Sequence, residues 1–468
     1  MIRKESVLLF MLAFFLLFAA CGGEGQDAPV PSPDVPQLVS SNPADGASAV
    51  PSGDLTLVLT YDQNVTCPSS GHSSVTLGNA TITSVETSLT TVTIQATGLE
   101  KGMSYELIIP EGVVLGPAKV EAPEVTVQFS TEEEESSLIT ENLAVADASQ
   151  QAQNVYDFLR NNYGIKLLSA TMANVNWNIN EAEWVKLQTG KYPAIAAFDY
   201  IHFIESPATW IDYSNTKVVE DWWANHGLVA AGWHWRVPVS EGASEYSYEA
   251  SQTTFKVSNA TVDGTWENNV VKADLEKIAG YLKLLQQKSI PVIWRPLHEA
   301  AGNSYAYSGG TAWFWWGTDG AVAYKALWKY MFDYFQDQGL NNLIWVWTSV
   351  GGDEDFYPGD AYVDLIGRDI YDDGDNTSLA EEFASTQKVY PTKMVCLSEC
   401  GNVAKISEQW TVGAQWSYFM PWYDYDRTRD PDASDFSSPD HQYANASWWT
   451  DAFGQSEVVT RDEMPDLN

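Results

Sequence analysis

The chain has 468 residues, enough for two domains, and 62 acidic side chains against 25 lysines and arginines give it a formal net charge of −37. A surface of this charge repels phosphate groups, which excludes nucleic acid as a partner and disfavours anionic membranes and polyanionic substrates. Hydrophobic residues make up 45% of the sequence, so the chain can bury a core, and its 20 tryptophans offer flat faces to a neutral ligand such as a sugar.

The N-terminus resembles the signal peptide of a bacterial lipoprotein. A short basic start precedes an apolar run over 7–20, which is too short to span a bilayer, and small residues lead into Cys21. The resemblance implies that residues 1–20 are removed, that Cys21 is lipidated and that residues 21–35 form a tether. We therefore expect a lipid anchor in the bacterial outer membrane, with the protein exposed at the cell surface or facing the periplasm. A plain secretory signal with a chance cysteine is the alternative.

Residues 36–131 alternate apolar and polar side chains with the period of β-strands. The predicted strands are Leu55–Tyr61, Val75–Ile82, Thr91–Ala96, Tyr105–Ile109 and Val125–Phe129. Turn signals at regular spacing between them favour a β-sandwich, and the opening over 40–51 resembles bacterial immunoglobulin-like modules that space surface enzymes. We expect a spacer, with sugar binding by this module as the alternative. The charged run within 132–144 is the predicted linker.

Residues 145–460 have a different pattern, in which apolar runs alternate with stretches of helical period. The eight runs are Lys166–Val175, Ala194–Ile201, Leu228–Val237, Pro291–Glu299, Leu343–Val350, Val363–Tyr371, Lys393–Gly401 and Ala414–Tyr423. Helices are predicted between them, for example over 266–288 and 320–338. Parallel strands that are covered by helices are apolar on both faces. The sequence therefore predicts an α/β fold, a (β/α)8 TIM barrel with an N-terminal all-β immunoglobulin-like sandwich.

Two glutamates stand at the ends of predicted barrel strands, where the functional residues of such barrels lie. Glu299 ends the fourth run and Glu399 lies near the end of the seventh, so three strand steps place them on opposite sides of the barrel mouth. Glycoside hydrolysis requires such a pair, because one protonated acid serves the leaving oxygen and one ionised carboxylate faces the anomeric carbon. The pair therefore predicts a glycosidase active site.

The motifs around these glutamates resemble glycoside hydrolase family 26. An Arg-Pro-Leu-His-Glu motif ends at Glu299 and is followed by Trp-Phe-Trp-Trp-Gly over 313–317, while Leu-Ser-Glu-Cys-Gly surrounds Glu399. The resemblance covers residues 145–455. It implies an endo-acting β-1,4-mannanase that retains the anomeric configuration, with Glu299 as general acid/base and Glu399 as nucleophile.

The same resemblance implies a set of sugar-binding residues. They are His234, His298, Trp313 or Trp315 as an aromatic wall, Asp369, Tyr371 and Trp422. The stretch 301–311 is longer than the family motif, and we expect it to form a surface loop beside the cleft. The expected partner is a neutral β-linked polysaccharide of the mannan type, acted on by a monomer that needs no metal and no cofactor.

Two classes of alternative stay open. A surface lipoprotein that captures a glycan without cutting it would share the anchor, the sandwich and the tryptophans, but it does not require two facing carboxylates. Among enzymes, a β-1,3-xylanase, a lichenase and a mannobiose-releasing exo-mannanase are compatible with the same catalytic pair.

Two other hydrolase classes are excluded. A zinc protease is excluded because Gly302 stands where the His-Glu-x-x-His motif needs its second histidine, and a serine hydrolase is excluded because Ser398 lacks the Gly-x-Ser-x-Gly elbow.

Overall fold

The computed structural model describes residues 34–131 and 138–468. The predicted signal peptide, Cys21 and most of the predicted tether lie outside the described residues. The chain divides into two compact units, Met1–Ser136 and Ser137–Asn468, and the division falls within the predicted linker. Each unit is described by itself below.

The first unit contains two four-stranded β-sheets. Its strands are β1 (Leu38–Asn42), β2 (Ala47–Val50), β3 (Gly53–Tyr61), β4 (Thr76–Leu77), β5 (Thr81–Ser88), β6 (Thr91–Leu99), β7 (Ser104–Ile109) and β8 (Val125–Thr131). One sheet has the order β1-β3-β6-β5 and the other has the order β2-β8-β7-β4. Neighbouring strands are antiparallel except for β2 and β8, which are parallel. This unit is all-β, as predicted.

Side chains of both sheets meet in one apolar core. Leu57, Leu59 and Tyr61 alternate along β3 and are buried, as the period of two predicts. In the other sheet Tyr105 and Phe129 are stacked, with ring centroids 5.9 Å apart. Alternation along the sequence therefore identifies the inner face of this unit correctly.

The predicted single strand over Val75–Ile82 is wrong, because the chain turns within it and places β4 and β5 in different sheets. The N–H of Ala80 donates to the carbonyl of Leu77 at 2.9 Å, and Gly78 adopts a φ of +48°. Glycine reaches this left-handed region without a clash, so it accommodates the turn. Periodicity continues across the turn, since it records polarity and not the sheet to which a strand belongs.

Parallel strands of the second unit close into a barrel. The eight barrel strands are β9 (Leu167–Asn174), β10 (Ile195–Asp199), β11 (Leu228–Trp233), β14 (Val292–Pro296), β15 (Leu343–Ser349), β16 (Leu365–Tyr371), β17 (Met394–Gly401) and β18 (Tyr418–Pro421). They pair in chain order, and β18 pairs with β9 to complete the ring. A hairpin of β12 (Val237–Pro238) and β13 (Tyr246–Ser247) follows β11, and β19 (Val458–Val459) adds to β9. Each barrel strand lies inside one of the predicted runs, which confirms the (β/α)8 TIM barrel.

Helices follow most of the barrel strands and cover the outside of the barrel. They are α1 (Gln150–Asn162), α2 (Asn180–Thr189), α3 (Lys217–Ala224), α4 (Val257–Ala260), α5 (Trp266–Gln286), α6 (Gly320–Asp337), α7 (Asn376–Val389), α8 (Ile406–Thr411), α9 (Tyr425–Thr428) and α10 (Ala446–Phe453). The bounds of α5 and α6 agree closely with the predicted helices. Thr265 begins α5 by accepting the N–H of Asn268 at 3.1 Å, as an N-cap does. Within the described parts of the chain, no helix has both the length and the apolarity to cross a membrane.

Candidate active site

Three carboxyl groups meet at the carboxyl ends of the barrel strands. Glu299 follows β14, Asp369 lies in β16 and Glu399 lies in β17, and an oxygen of each lies within 4.8 Å of the other two. Glu299 has a φ of +50°, a backbone conformation that few residues with a side chain adopt. Such strain persists where the surrounding structure enforces it, and it is most frequent at functional sites.

Arg295 lies between two of these carboxylates. One of its guanidinium nitrogens donates to Asp369 at 2.9 Å and to Thr348 at 3.2 Å, and the other donates to Oε1 of Glu399. Ser398 donates to the second oxygen of Asp369 at 2.6 Å. Among the described residues, Glu299, Asp369 and Glu399 form the cluster of side chains whose geometry would suit a divalent cation. The buried guanidinium already supplies a positive charge to two of them.

Tyr371 contacts the other oxygen of Glu399. Its hydroxyl donates to Oε2 at 3.2 Å, and its ring packs edge-on against Tyr443 with centroids 5.8 Å apart. Gly401 leaves room for both rings, because a Cβ there would lie 2.4 Å from Tyr443 and 2.8 Å from Tyr371. The side chain of Glu399 is therefore held by one donor on each of its oxygens.

The environment raises the pKa of both glutamates, but not equally. Burial, followed by the charges of Asp369 and Glu399, raises the pKa of Glu299 well above its usual value. Burial also raises the pKa of Glu399, to about 7, while the Arg295 guanidinium and the Tyr371 hydroxyl favour its ionised form. Glu299 therefore keeps its proton to higher pH, and Glu399 is the first of the two to ionise.

His234 is oriented by Asp199, which ends β10. Nδ1 of His234 lies 2.7 Å from one carboxylate oxygen, and the backbone N–H of His234 donates to the other at 3.2 Å. A carboxylate only accepts, so Nδ1 carries a hydrogen and Nε2 is the nitrogen left for other partners. Burial lowers the pKa of His234, but the charges of Asp199 and Glu399 outweigh burial and raise it.

His298 lies beside His234, with ring centroids 4.6 Å apart. It is buried, and its Nδ1 has no hydrogen-bond partner among the described residues. Burial, with the positive charges of Arg295 and His234, lowers the pKa of His298 well below its usual value. The site thus contains one histidine that favours the charged form and one that is neutral.

The two tryptophans predicted as an aromatic wall have different environments. The side chain of Trp313 is 43% exposed, whereas Trp315 is fully buried and its indole N–H donates to the carbonyl of Trp235 at 2.6 Å. Trp315 packs edge-on against Trp235 and Phe255 in the interior of the unit. Its predicted contact with the sugar is therefore wrong, because these neighbours cover both its ring and its polar atom.

Phe314 is the aromatic residue of this segment that faces the histidines. Its backbone is extended, so its side chain points away from that of Trp315. Its ring centroid lies 4.8 Å from that of His298 and 6.0 Å from that of His234. Sequence reasoning missed Phe314, although the alternation of an extended segment was the signal that would have separated it from its neighbours.

Trp422 comes directly after β18, the barrel strand that lies opposite β14 in the ring. It is partly buried, and its ring centroid lies 5.8 Å from that of His234. Its backbone N–H donates to the carbonyl of Cys400 at 2.9 Å, which ties it to the strand that carries Glu399. The structure thus brings together His234, His298, Asp369, Tyr371, Trp422 and both glutamates, and it adds Asp199, Arg295 and Phe314.

Comparison with known proteins identifies one family. A sequence profile described as glycosyl hydrolase family 26 matches residues 145–449. Mannan endo-1,4-beta-mannosidase A of Piromyces sp is 31% identical over 350 residues, which are 71% of this chain and 52% of that protein. Mannan endo-1,4-beta-mannosidase of Thermothelomyces thermophilus is 33% identical over 293 residues, 60% of this chain and 56% of that protein. The chain thus spans about half the length of these curated relatives.

Solved structures also resemble this chain. The family 26 domain of an endo-beta-mannanase/endo-beta-glucanase from Prevotella bryantii is 39% identical with a TM-score of 0.63, and the match covers 70% of this chain and 99% of that one. A beta-mannanase from a symbiotic protist of the termite Reticulitermes speratus, complexed with gluco-manno-oligosaccharide, is 33% identical with a TM-score of 0.60. That match covers 70% of this chain and 98% of the other.

Proposed function

Because the chain belongs to glycosyl hydrolase family 26, we propose that it is an endo-acting β-1,4-mannanase that cleaves mannan, galactomannan or glucomannan with retention of anomeric configuration. The observation that carries the mechanism is the separation of Glu299 and Glu399, whose nearest oxygens lie within 4.8 Å. Retaining glycosidases hold their two carboxyl groups about 5–5.5 Å apart, whereas inverting ones leave about 6.5–9.5 Å for a water molecule. The short separation supports retention.

In the first step Glu399 is the nucleophile. Its carboxylate attacks the anomeric carbon while Glu299 transfers its proton to the glycosidic oxygen, so that the C–O bond breaks and the leaving chain departs as an alcohol. The order of ionisation supports this assignment, since Glu399 ionises first and Glu299 keeps its proton to higher pH. The product is a glycosyl ester on Glu399.

In the second step Glu299 acts as a base. Formation of the ester removes the negative charge of Glu399, which is one of the charges that raises the pKa of Glu299. The ionised Glu299 then takes a proton from water, and the resulting oxygen attacks the anomeric carbon and displaces Glu399. Both glutamates return to their starting states.

The surrounding residues bind the sugar that becomes attached to the enzyme. Trp422 supplies an apolar face on which a sugar ring stacks, and Nε2 of His234 supplies a polar contact beside it. Tyr371 donates to Glu399 until the ester forms. Asp369 pairs with Arg295, which in turn donates to the nucleophile. Trp313 stays the proposed aromatic wall, since its side chain is 43% exposed.

The rest of the chain delivers the enzyme to its substrate. We propose that Cys21 is lipidated, that it anchors a monomer in the bacterial outer membrane and that the immunoglobulin-like sandwich spaces the barrel from the lipid. The apolar run over 7–20 followed by Cys21 supports the anchor. The aromatic residues Tyr61, Tyr105 and Phe129 of the sandwich are buried in its core, which supports a spacer over a sugar-binding module.

The proposed activity is tested with purified enzyme on galactomannan, glucomannan, xylan and lichenan, with the products sized over time. We expect cleavage of the two mannans into oligomers of mixed length. Release of mannobiose alone would show exo action, and preference for xylan or lichenan would contradict the proposed substrate. Binding of mannan without cleavage, by a folded wild-type protein, would indicate a capture protein.

A further inference from the structure

A groove of about 540 Å³ lies beside the segment that follows Glu299, and no step of the proposed mechanism uses it. Its volume is within the range of pockets that bind small ligands. Residues from three loops line it, among them Ala250, Tyr305, Thr311, Ala312 and Phe356. These loops follow β11, β14 and β15, so the groove lies at the carboxyl ends of the barrel strands.

The 303–311 loop forms one wall of the groove. The N–H of Asn303 donates to the carbonyl of Thr311 at 3.1 Å, and the N–H of Thr311 donates to the Asn303 side chain at 2.7 Å. The side-chain amide of Asn303 also donates to the hydroxyl of Tyr307 at 2.7 Å. Asn303 thus closes the loop at its base and orders it before any ligand binds, which lowers the entropy cost of binding.

Tyr305 presents an aromatic surface to the groove. Its side chain is 48% exposed, and its ring is held edge-on against Phe356 with centroids 6.1 Å apart. Phe356 is buried and packs in turn on Tyr324, so the support behind Tyr305 is rigid. An exposed aromatic ring held at a fixed angle is the type of surface on which the apolar face of a sugar stacks.

The charges beside Tyr305 favour a neutral polyol over an anion. Burial raises the pKa of the Tyr305 hydroxyl, and the nearby carboxylates of Asp355 and Glu354 raise it further. The chain as a whole carries a net charge of −37. Carboxylates accept hydrogen bonds from sugar hydroxyls and repel phosphate, sulfate and uronate groups.

The groove lies on the side of the site where we expect the leaving end of the substrate. Trp422 follows β18, which lies four strands from β14 around the ring and therefore on the opposite side of the barrel mouth. A polysaccharide with one sugar on Trp422 has its leaving end on the side of Glu299, where the groove lies. The groove also lies beside the segment that carries the acid/base, because its lining residues Thr311 and Ala312 pack against Gly302, where a Cβ would lie 2.5 Å from the Thr311 carbonyl and 2.9 Å from Cα of Ala312.

We propose that the groove beside the 303–311 loop binds a sugar residue on the leaving-group side of the polysaccharide, beyond the sugars held at the catalytic pair, with Tyr305 as its stacking platform. This inference rests on the proposed mannanase function and deepens it. It makes the loop a determinant of how long a substrate must be for full activity.

The test compares mannohexaose and mannotetraose as substrates of the wild type and Tyr305→Ala. We expect kcat/KM on mannohexaose to fall about 3- to 10-fold, as loss of one stacked ring costs, while kcat/KM on mannotetraose stays unchanged. Tyr334→Ala is the matched control, since this partly exposed tyrosine lies near the other end of α6, and it should change neither value. Unchanged preference for mannohexaose in Tyr305→Ala, or an equal loss on both substrates, would overturn the inference.

A binding measurement separates this inference from the proposed function. Calorimetry of mannohexaose with Glu399→Ala and with Glu399→Ala/Tyr305→Ala requires no hydrolysis, and we expect about 3- to 10-fold weaker binding by the double variant. If the wild type cleaves no mannan, the proposed function fails, whereas the calorimetric difference still decides the role of Tyr305. Equal affinities, or no binding by either variant, would overturn the inference.

Discussion

The sandwich and the barrel differ in how they bury polar groups. In the described part of the sandwich Thr131 is the one buried polar side chain besides the tyrosines, and its hydroxyl donates to the carbonyl of Glu100 at 2.7 Å. The barrel buries Asp199, Arg295 and Glu399 together at one end. Burying charge costs free energy unless the charge is paired. The difference therefore teaches that the sandwich core serves stability, whereas the polar end of the barrel serves chemistry.

The largest effect on activity is expected from Glu399→Ala. The variant lacks the nucleophile, so kcat on mannan should fall by about 10⁴–10⁶-fold, the range seen when catalytic nucleophiles are removed. Initial rates of reducing-end release measure the loss, and calorimetry with mannohexaose checks that the variant still binds substrate. Turnover within tenfold of the wild type would contradict the nucleophile assignment.

Glu299→Gln is expected to be the next most damaging change. Loss of the general acid should lower kcat/KM on mannan about 10²–10⁴-fold. Because Glu299 must be protonated and its pKa is raised, wild-type kcat/KM should fall at alkaline pH as this proton is lost, and the residual rate of the variant should not. Measurement of kcat/KM for both enzymes over a series of pH values tests this difference.

The same variant, Glu299→Gln, also tests whether the polar end of the barrel serves chemistry at the expense of stability. A carboxyl whose pKa is raised by folding destabilises the folded state as pH rises through that raised pKa. Glu299→Gln removes this effect, so its melting temperature at pH 8 should equal or exceed that of the wild type. A lower melting temperature, with the loss of activity, would mean that Glu299 stabilises the fold.

Asp199→Asn tests the positioning of His234. The amide carries no negative charge, so the charged form of His234 loses its ion-pair partner and the pKa of His234 should fall. We expect kcat/KM to decrease roughly 10- to 150-fold, which corresponds to about 1.5–3 kcal/mol for a hydrogen bond to a charged group. Proton NMR of the His234 ring across pH distinguishes this effect from misfolding. An unchanged His234 titration would contradict the role of Asp199.

Leu59→Ala in the sandwich is expected to change stability and not activity. Leu59 is fully buried in β3, and its truncation should destabilise the first unit by about 2–5 kcal/mol. Calorimetric melting measures this loss, while kcat/KM on mannan at 25 °C should equal that of the wild type. A matched decrease in kcat/KM would show that the sandwich contributes to catalysis.

The barrel was predictable because its strands are buried on both faces. Continuous apolar runs such as that over 343–347 are unusual outside parallel sheets, and the rule that sites lie at the carboxyl ends of strands then selects Glu299 and Glu399. In the sandwich the same reasoning failed at Gly78, where a tight turn interrupts an unbroken period.

The partners within the site were not predictable from local patterns. Arg295 and Glu399 are separated by 104 positions, and Asp199 and His234 by 35, so no local period links them. A charged residue inside a buried run was a signal that Asp199 and Arg295 have partners, but it does not say which. The burial of Trp315 depends on side chains from other loops, which is why its motif did not reveal that it lies in the core.

The most direct test of the proposed double displacement is to identify the residue that becomes covalently attached to the sugar. The wild type is incubated with a 2-fluoro-mannobiosyl fluoride, which forms the ester and hydrolyses slowly, and its peptides are mapped by mass spectrometry. The mechanism predicts that the added mass lies on the peptide that contains Glu399 and that Glu399→Ala acquires none. Label on another carboxylate, or release of product of inverted configuration without label, would contradict it.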